Sequence, residues 1–243
     1  MITIFRKEIT SFFSSLIGYI AIAVFLILIG LIMWIFQNNA LNNGYANLDI
    51  LFENAPIVFM LLIPAVTMRM FSEEKKTGTL EILATRPVTE TEIILGKYLA
   101  AVCLIIFSLI PTLLYYFTIY RFGSPPGNLD TGATWGSYIG LLLLGSSFVA
   151  IGLFASSITD NQIVAFILGS FICFVCYLAF DGLSDLGLLG GKGDTIIQSI
   201  GIRYHYESIS RGVLDLSRDV IYFLSVILIF ILCTKTALES RKW

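Results

Sequence analysis

The chain has 243 residues, of which 57% are hydrophobic, 14% aromatic and only 13% charged, with a mean hydropathy of +0.87. That balance excludes an ordinary soluble domain and defines an integral membrane protein. Fifteen basic residues against 17 acidic ones leave no cationic footprint for nucleic acid.

At the N-terminus, Ile2, Phe5, Ile9, Phe12 and Phe13 recur at helical spacing with Arg6, Lys7, Glu8 and Ser11 between them. This predicts an amphipathic helix over residues 1–15, lying in the membrane interface. A run of about 20 apolar residues crosses the hydrocarbon layer. Such runs fall at 16–36, 55–71, 95–120, 135–156, 162–180 and 219–236. The first is too long for the apolar core of a signal peptide, and no small-residue cleavage site follows it, so it reads as a retained span. Pro64 and Pro111 lie inside the second and third runs, where neighbouring helices re-satisfy the carbonyls they free. The loop after the first run is Asn-rich and lacks Lys and Arg, as expected of an external loop.

With the N-terminus in the cytoplasm, ten Lys and Arg residues fall on the cytoplasmic side and five on the other, four of these in one long loop. The positive-inside bias therefore places both termini in the cytoplasm. All four cysteines, Cys103, Cys173, Cys176 and Cys233, fall within predicted spans. The Cys173-x-x-Cys176 spacing, on an apolar helix without a nearby His, reads as buried inert thiols rather than a redox or metal pair.

The most informative stretch is the charged segment from Arg69 to Lys97, between the second and third runs. Ser72 is placed to cap a helix whose first turn carries Glu73 and Glu74, favourable near the positive end of the helix dipole. Thr77, Gly78 and Thr79 interrupt it, Leu80, Ile82 and Leu83 resume an apolar face beside Glu81, and Arg86-Pro87 stops that piece. Thr89 and Glu92 then form a T-x-x-E capping box opening the third span. Helix, break, helix, turn, helix is the expected order. A short charged helix held against the membrane suits a groove on another protein.

In the fourth run, Ser146-x-x-x-Ala150 and Gly152-x-x-x-Ser156 are spacings that let helices approach closely. The turn 157–161 that follows is a second, minor candidate contact.

The string from Glu73 to Lys97, EEKKTGTLEILATRPVTETEIILGK, resembles the signature of type-2 ABC exporter permeases. The resemblance extends over essentially the whole chain and implies an all-α, single-domain membrane protein of residues 1–243. It would have six transmembrane helices, an N-terminal interfacial helix and a cytoplasmic coupling helix between helices 2 and 3. It also implies a multi-pass protein of the inner (plasma) membrane, paired with a second permease, identical or related, and with two copies of an ABC ATPase subunit. ATP and Mg would be bound by that ATPase, and this chain would hold no cofactor and no metal. The docking residues implied are Glu73, Glu74, Gly78, Thr79, Glu81, Arg86 and Pro87.

The stretch from His205 to Phe223, HYESISRGVLDLSRDVIYF, is similar to permeases of the gliding-motility ABC system and of copper-site maturation in nitrous oxide reductase. In length and pattern the chain most resembles the gliding-motility permease subunit. The residues of this external motif are His205, Gly212, Asp215, Arg218 and Asp219. Asp215 and Arg218 are spaced to pair along a helix, and Asp219 suits the start of the sixth span. His205 is open to three readings: a metal ligand, a pH switch, or a surface or interface residue. The last is preferred because no Cys or second His lies near it.

Both Gly-Lys pairs fail the P-loop pattern. Gly96-Lys97 has Thr91 and Tyr98 at the required Gly and Ser/Thr positions, and Gly191-Lys192 has Leu186 and Gly193. The chain is therefore expected to be a non-catalytic permease subunit. The middles of the spans lack ionisable residues, which disfavours a self-contained secondary transporter. An ATPase-driven component that transmits force without moving a solute stands as the alternative.

Overall fold

The computed structural model describes residues 1–36, 39–42, 44–79, 88–187, 190–212 and 215–240, and its regular elements are all helical. Helix α1 (Ile2–Ser14) lies ahead of six helical runs long and apolar enough to cross a membrane. Span one is α2 (Leu16–Trp34), and span two is α3 (Asp49–Thr67) continued by α4 (Arg69–Lys76). Span three joins α5 (Glu90–Leu109) to α6 (Leu113–Phe122) through a 3-10 turn at Ile110–Thr112. Span four is α7 (Thr131–Ile158). Span five is α8 (Gln162–Phe174), a π-helical turn at Val175–Ala179 and α9 (Phe180–Asp185). Helices α10 (Lys192–Ile200) and α11 (Ile202–Ser210) precede span six, a π-helical turn at Leu216–Val220 leading into α12 (Ile221–Glu239).

Six spans place both chain ends on one side, here the terminal face, with α10 and α11 on the far face. Span four is the most enclosed, with α3 and α12 packed along it, while spans one, five and six turn most of their apolar surface outward.

Helix starts follow the polar-to-apolar switches in the sequence. The Thr89 hydroxyl accepts the Glu92 N–H at 3.3 Å while Glu92 Oε2 accepts the Thr89 N–H at 3.3 Å, the capping box expected at α5. Asp130 caps α7 through the Ala133 N–H at 3.0 Å, and Asn161 caps α8 through the Ile163 N–H at 2.9 Å. Pro111 sits within the 3-10 turn, where its missing N–H breaks the regular ladder.

Span two differs from expectation in two ways. It runs over 28 residues, Asp49–Lys76, rather than 55–71, because polar residues at both ends continue the helix beyond its apolar stretch. At 1.5 Å per residue it is about 42 Å long and overhangs the hydrocarbon layer. Second, Ser72 caps nothing: it is buried inside α4, and its hydroxyl donates to the Met68 carbonyl. The break expected after Lys76 forms, with Gly78 at φ +70°, and a further single turn at Met68 divides α3 from α4 beside a side chain of span four. Ser156 Oγ accepts the Phe71 N–H at 3.0 Å and the Ser72 N–H at 3.1 Å, and donates to Met68 O at 2.7 Å. One hydroxyl set into the helical ladder thus supplies the partners that the break frees.

The Gly152-x-x-x-Ser156 spacing is the seat of this joint. A Cβ on Gly152 would overlap Thr67 Oγ1, so only glycine lets span two approach, and Ser156 follows one turn later. Gly169 of span five closes the same place, against Pro64 and Ala155.

Ser156→Ala removes the acceptor for two buried N–H groups, at roughly 1–3 kcal/mol for each unsatisfied donor. A clear fall in Tm of the purified chain in detergent is expected, and an unchanged Tm would show that the hydroxyl is dispensable.

Candidate functional site

At the terminal face, α1, α4 and the start of span three meet around a buried lysine. Lys97 is 1% exposed. Its Nζ donates to Glu8 Oε1 at 2.8 Å and to Met70 O at 2.7 Å, lies 3.0 Å from Glu74 Oε2, and sits 5.2 Å from the centre of the Phe71 ring. Lys7 closes the cluster, bonding Glu74 Oε1 at 2.7 Å with Glu8 Oε1 at 3.8 Å. Two ammonium groups, Lys97 buried and Lys7 exposed, balance two carboxylates, as the buried charge requires. Burial opposes the charge on Lys7, yet the hydrogen bond and charge of Glu74, with Glu8 behind it, hold its pKa above the ordinary lysine value.

Gly96, just before Lys97, explains how α1 comes so close. The position of a Cβ there lies 3.1 Å from Ile4 side-chain atoms and 3.2 Å from Met1 O. Gly96 admits the helix and Lys97 fastens it. Gly18 does the same at the far end of α1, where a Cβ would fall 2.6 Å from Phe12 O as the chain turns into span one. Arg69 ties the junction by donating to Ser15 Oγ at 3.2 Å and lying 5.5 Å over the Phe12 ring.

Of the segment singled out in the sequence, Glu73 and Thr79 are exposed beside a cleft of about 240 Å³ that Lys7, Glu8 and Arg69 also line. Gly78 adopts φ +70° with open space where a side chain would project. Thr79 Oγ1 donates to Glu74 O at 3.3 Å, folding the end of the helix back on itself. Glu74 turns inward to the two lysines. Glu81, Arg86 and Pro87, with the short second helix expected from Leu80, lie outside the described residues. The turn at 157–161 joins the same region, since Lys75 Nζ donates to Ser157 O.

Lys97 and Glu8 were not among the sequence candidates. A charged residue near the start of an apolar run, with glycine before it, was the available signal. The partner, 89 positions away, was not.

On the far face, His205, expected at the surface or an interface, is buried within the chain. Its Nδ1 is 2.8 Å from Asp219 Oδ1 and its Nε2 is 2.9 Å from Ser199 O. Each ring nitrogen thus faces an oxygen partner. Tyr222 stacks on it, ring centres 3.9 Å apart. Asp219, also buried, is held by this contact at the start of span six. The expected pairing of Asp215 with Arg218 does not form. Asp215 caps the π-helical turn through the Ser217 hydroxyl and N–H, which hold its carboxyl below the usual range, and Arg218 turns to the Tyr204 hydroxyl and ring. Gly212, at φ +83°, packs where a Cβ would overlap Ala133 of span four.

Helix α11 is fastened on its other sides too. Tyr206 Oη donates to Phe52 O of span two at 2.7 Å, Ser137 of span four donates to Ser210 O at 2.8 Å, and Ile209 fills the space left by Gly140. Beneath α11 lies a cavity of about 760 Å³ between the far-face ends of spans two, four and five. Among the described residues, no group of three His, Cys, Asp or Glu is placed to hold a metal ion, and the four cysteines form no disulfide.

An all-helical bundle of six spans, with an amphipathic helix along one face and its charged residues gathered at the helix ends, is the architecture of a membrane permease. The sequence matches the family model described as ABC-2 family transporter protein over residues 35–186, and the chain belongs to that family. The match contains α4, Gly96 and Lys97. Helix α1 and the far-face segment from Lys192 onward lie beyond it. No curated protein is similar enough to the chain to stand beside it as a relative.

Lys97→Met leaves Glu8 and Glu74 with only the exposed Lys7 between them, and breaking such a buried pair costs roughly 3–5 kcal/mol. A large drop in Tm is expected, with Glu8→Gln in the same background adding far less than it does alone. Additive losses would show that the two residues act independently. For His205→Ala, limited proteolysis of intact protein is expected to cut the α10–α11 region faster and leave the terminal face unaffected.

Proposed function

We propose that this chain is the membrane subunit of an ATP-driven exporter whose ATPase docks on the segment following span two. The observation that carries this reading is the Lys97 cluster, which joins α1, α4 and the base of span three into one polar unit directly behind the exposed Glu73 and Thr79. Force delivered there reaches two spans and the interfacial helix together. Glu73, Gly78, Thr79, Glu81, Arg86 and Pro87 form the contact face, and Glu74 holds that face in position from behind. The terminal face is cytoplasmic, in keeping with the Lys and Arg distribution. Two copies of an ABC ATPase and a second permease, identical or related, complete the assembly in the inner membrane. ATP binds the ATPase pair more tightly in one arrangement, and that difference shifts the spans. The resemblance of the His205 to Phe223 stretch supports a place in a gliding-motility system.

The test is purification of the tagged chain from native membranes in mild detergent, with mass spectrometry and an ATPase assay of the eluate. A P-loop ATPase is expected to co-purify. The Glu73→Lys, Glu81→Lys double variant is expected to lose it while keeping its gel-filtration profile. Retention of the ATPase by that variant would remove the docking assignment, and a chain that purifies alone yet moves solutes in liposomes would remove the whole reading.

A further inference from the structure

We infer that His205 and Asp219 form a proton-operated latch, which fastens α10 to the far-face end of span six while the pair shares one added proton and releases it when that proton leaves. The latch goes beyond the ATPase reading and does not depend on it.

The imidazole bridges two elements. Nδ1 lies 2.8 Å from Asp219 Oδ1 on the π-helical turn that opens span six, and Nε2 lies 2.9 Å from Ser199 O near the end of α10. A carbonyl oxygen only accepts, so the second contact needs a hydrogen on Nε2. The first needs another, carried on Nδ1 or on the carboxyl. A neutral imidazole beside a carboxylate has one hydrogen for the two contacts. One added proton completes both, and it belongs to the pair whichever atom carries it. Without it, lone pairs face each other across one contact.

Burial makes that loss count. His205 is 6% exposed and Asp219 1%. Asp219 Oδ2 has no hydrogen-bond partner, and His205 is the only group within ion-pair distance of Asp219, among the described residues. Arg218, next to Asp219 in the chain, is turned to the Tyr204 hydroxyl and ring. A buried carboxylate beside an uncharged ring is therefore costly. The other titratable groups around the imidazole are Tyr222, stacked at 3.9 Å, Tyr204, edge-on at 5.4 Å, and Cys176 of span five, near Tyr222. Along α11, Arg203 pairs with Asp181 and Glu207. Phenols, thiols and guanidinium groups titrate above the imidazole range and carboxylates below it, so near neutrality the change falls on the latch.

Helix α10 is the element placed to respond. It buries none of its residues, and it follows Gly190 and Gly191, whose φ of +68° and +51° glycine adopts freely. Ser184 Oγ donates to Asp194 O at 3.0 Å and Tyr222 Oη to Ile200 O at 2.6 Å, so the His205 contact adds to a light hold. Helix α11 keeps its hydroxyl bonds from Tyr206 to Phe52 O and from Ser137 to Ser210 O, which do not titrate near neutrality. Loss of the proton thus loosens α10 and leaves α11 seated. A segment with little buried surface opens locally at low cost.

The test uses the full chain, with whatever co-purifies, in dodecyl maltoside. His205 is the single histidine of the chain, so the isotope-labelled histidine signal lost in His205→Gln is its own. That signal is followed by NMR from about pH 5 to about pH 9. Hydrogen–deuterium exchange of residues 192–200 is measured at the two ends of the range, each rate divided by the intrinsic exchange rate at that pH. His205 is expected to titrate within the range. Protection of α10 is expected to fall by about tenfold or more at the higher pH while that of α1 is unchanged. In Asp219→Asn the carboxamide N–H supplies to Nδ1 the hydrogen that the added proton supplied, so α10 is expected to stay protected at both ends. In His205→Gln it is expected to be equally unprotected at both. An imidazole that does not titrate, α10 protection unchanged across its titration, or a pH response retained in His205→Gln overturns the latch. So does loss of protection in an Asp219→Asn protein with the parent gel-filtration profile, which would assign the contact to the carboxylate charge rather than to the shared proton. Should Asp219→Asn fail to fold, the parent chain and His205→Gln decide the matter alone.

Discussion

A lysine ammonium buried where membrane and aqueous phase meet must be given acceptors, and the terminal face of this protein is organised around that demand. Lys97 stands on span three, but its acceptors come from α1 and α4. Moving any one of the three elements away alone breaks at least one contact to the buried ammonium, which is expensive in a place of low polarity. Segments far apart in the chain thereby become one body, and their orientation to one another is fixed by electrostatics where apolar packing would have allowed sliding. The Gly96 gap is part of the same device, since Ile4 must lie almost against the span three backbone before Glu8 can reach the lysine.

Much of the fold was legible because it rests on local rules. Six apolar runs gave six spans, the Phe and Ile spacing of residues 1–15 gave α1, and Thr89 with Glu92 gave the start of α5. What escaped was every feature decided by a distant partner. Ser72 looks like a cap because serine before two glutamates is a cap in isolation. It lies within a helix because Ser156, 84 residues away, meets the neighbouring N–H groups. His205 looks solitary because its carboxylate partner is 14 residues on, across a turn, and only folding brings α11 onto span six. The candidate site was half legible. Glu73 and Thr79 were found as an exposed polar stretch, whereas Lys97 and Glu8, which support them, read as a motif residue and a helix-face residue.

The two faces are built on opposite plans. On the terminal face the charges neutralise one another around a buried lysine, and the exposed residues project from that base. On the far face the fastening groups His205 and Tyr206 stand on α11 itself, while Asp49, Glu53 and Asp130 around the cavity have no counter-ion within ion-pair distance among the described residues. Span four runs between the two as the enclosed centre of the bundle, its glycines receiving Ile209 at one end and Thr67 at the other.

The Ser156 joint also decides which helix the end of span two belongs to. Beyond Met68 the helix is spliced through a hydroxyl that belongs to span four, so α4 is mechanically an outgrowth of span four as much as a continuation of α3. Displacing α4 would therefore mean breaking hydrogen bonds to the most enclosed helix of the bundle, whichever way α3 lies. One serine of a neighbouring helix is thus built into the backbone bonding of span two.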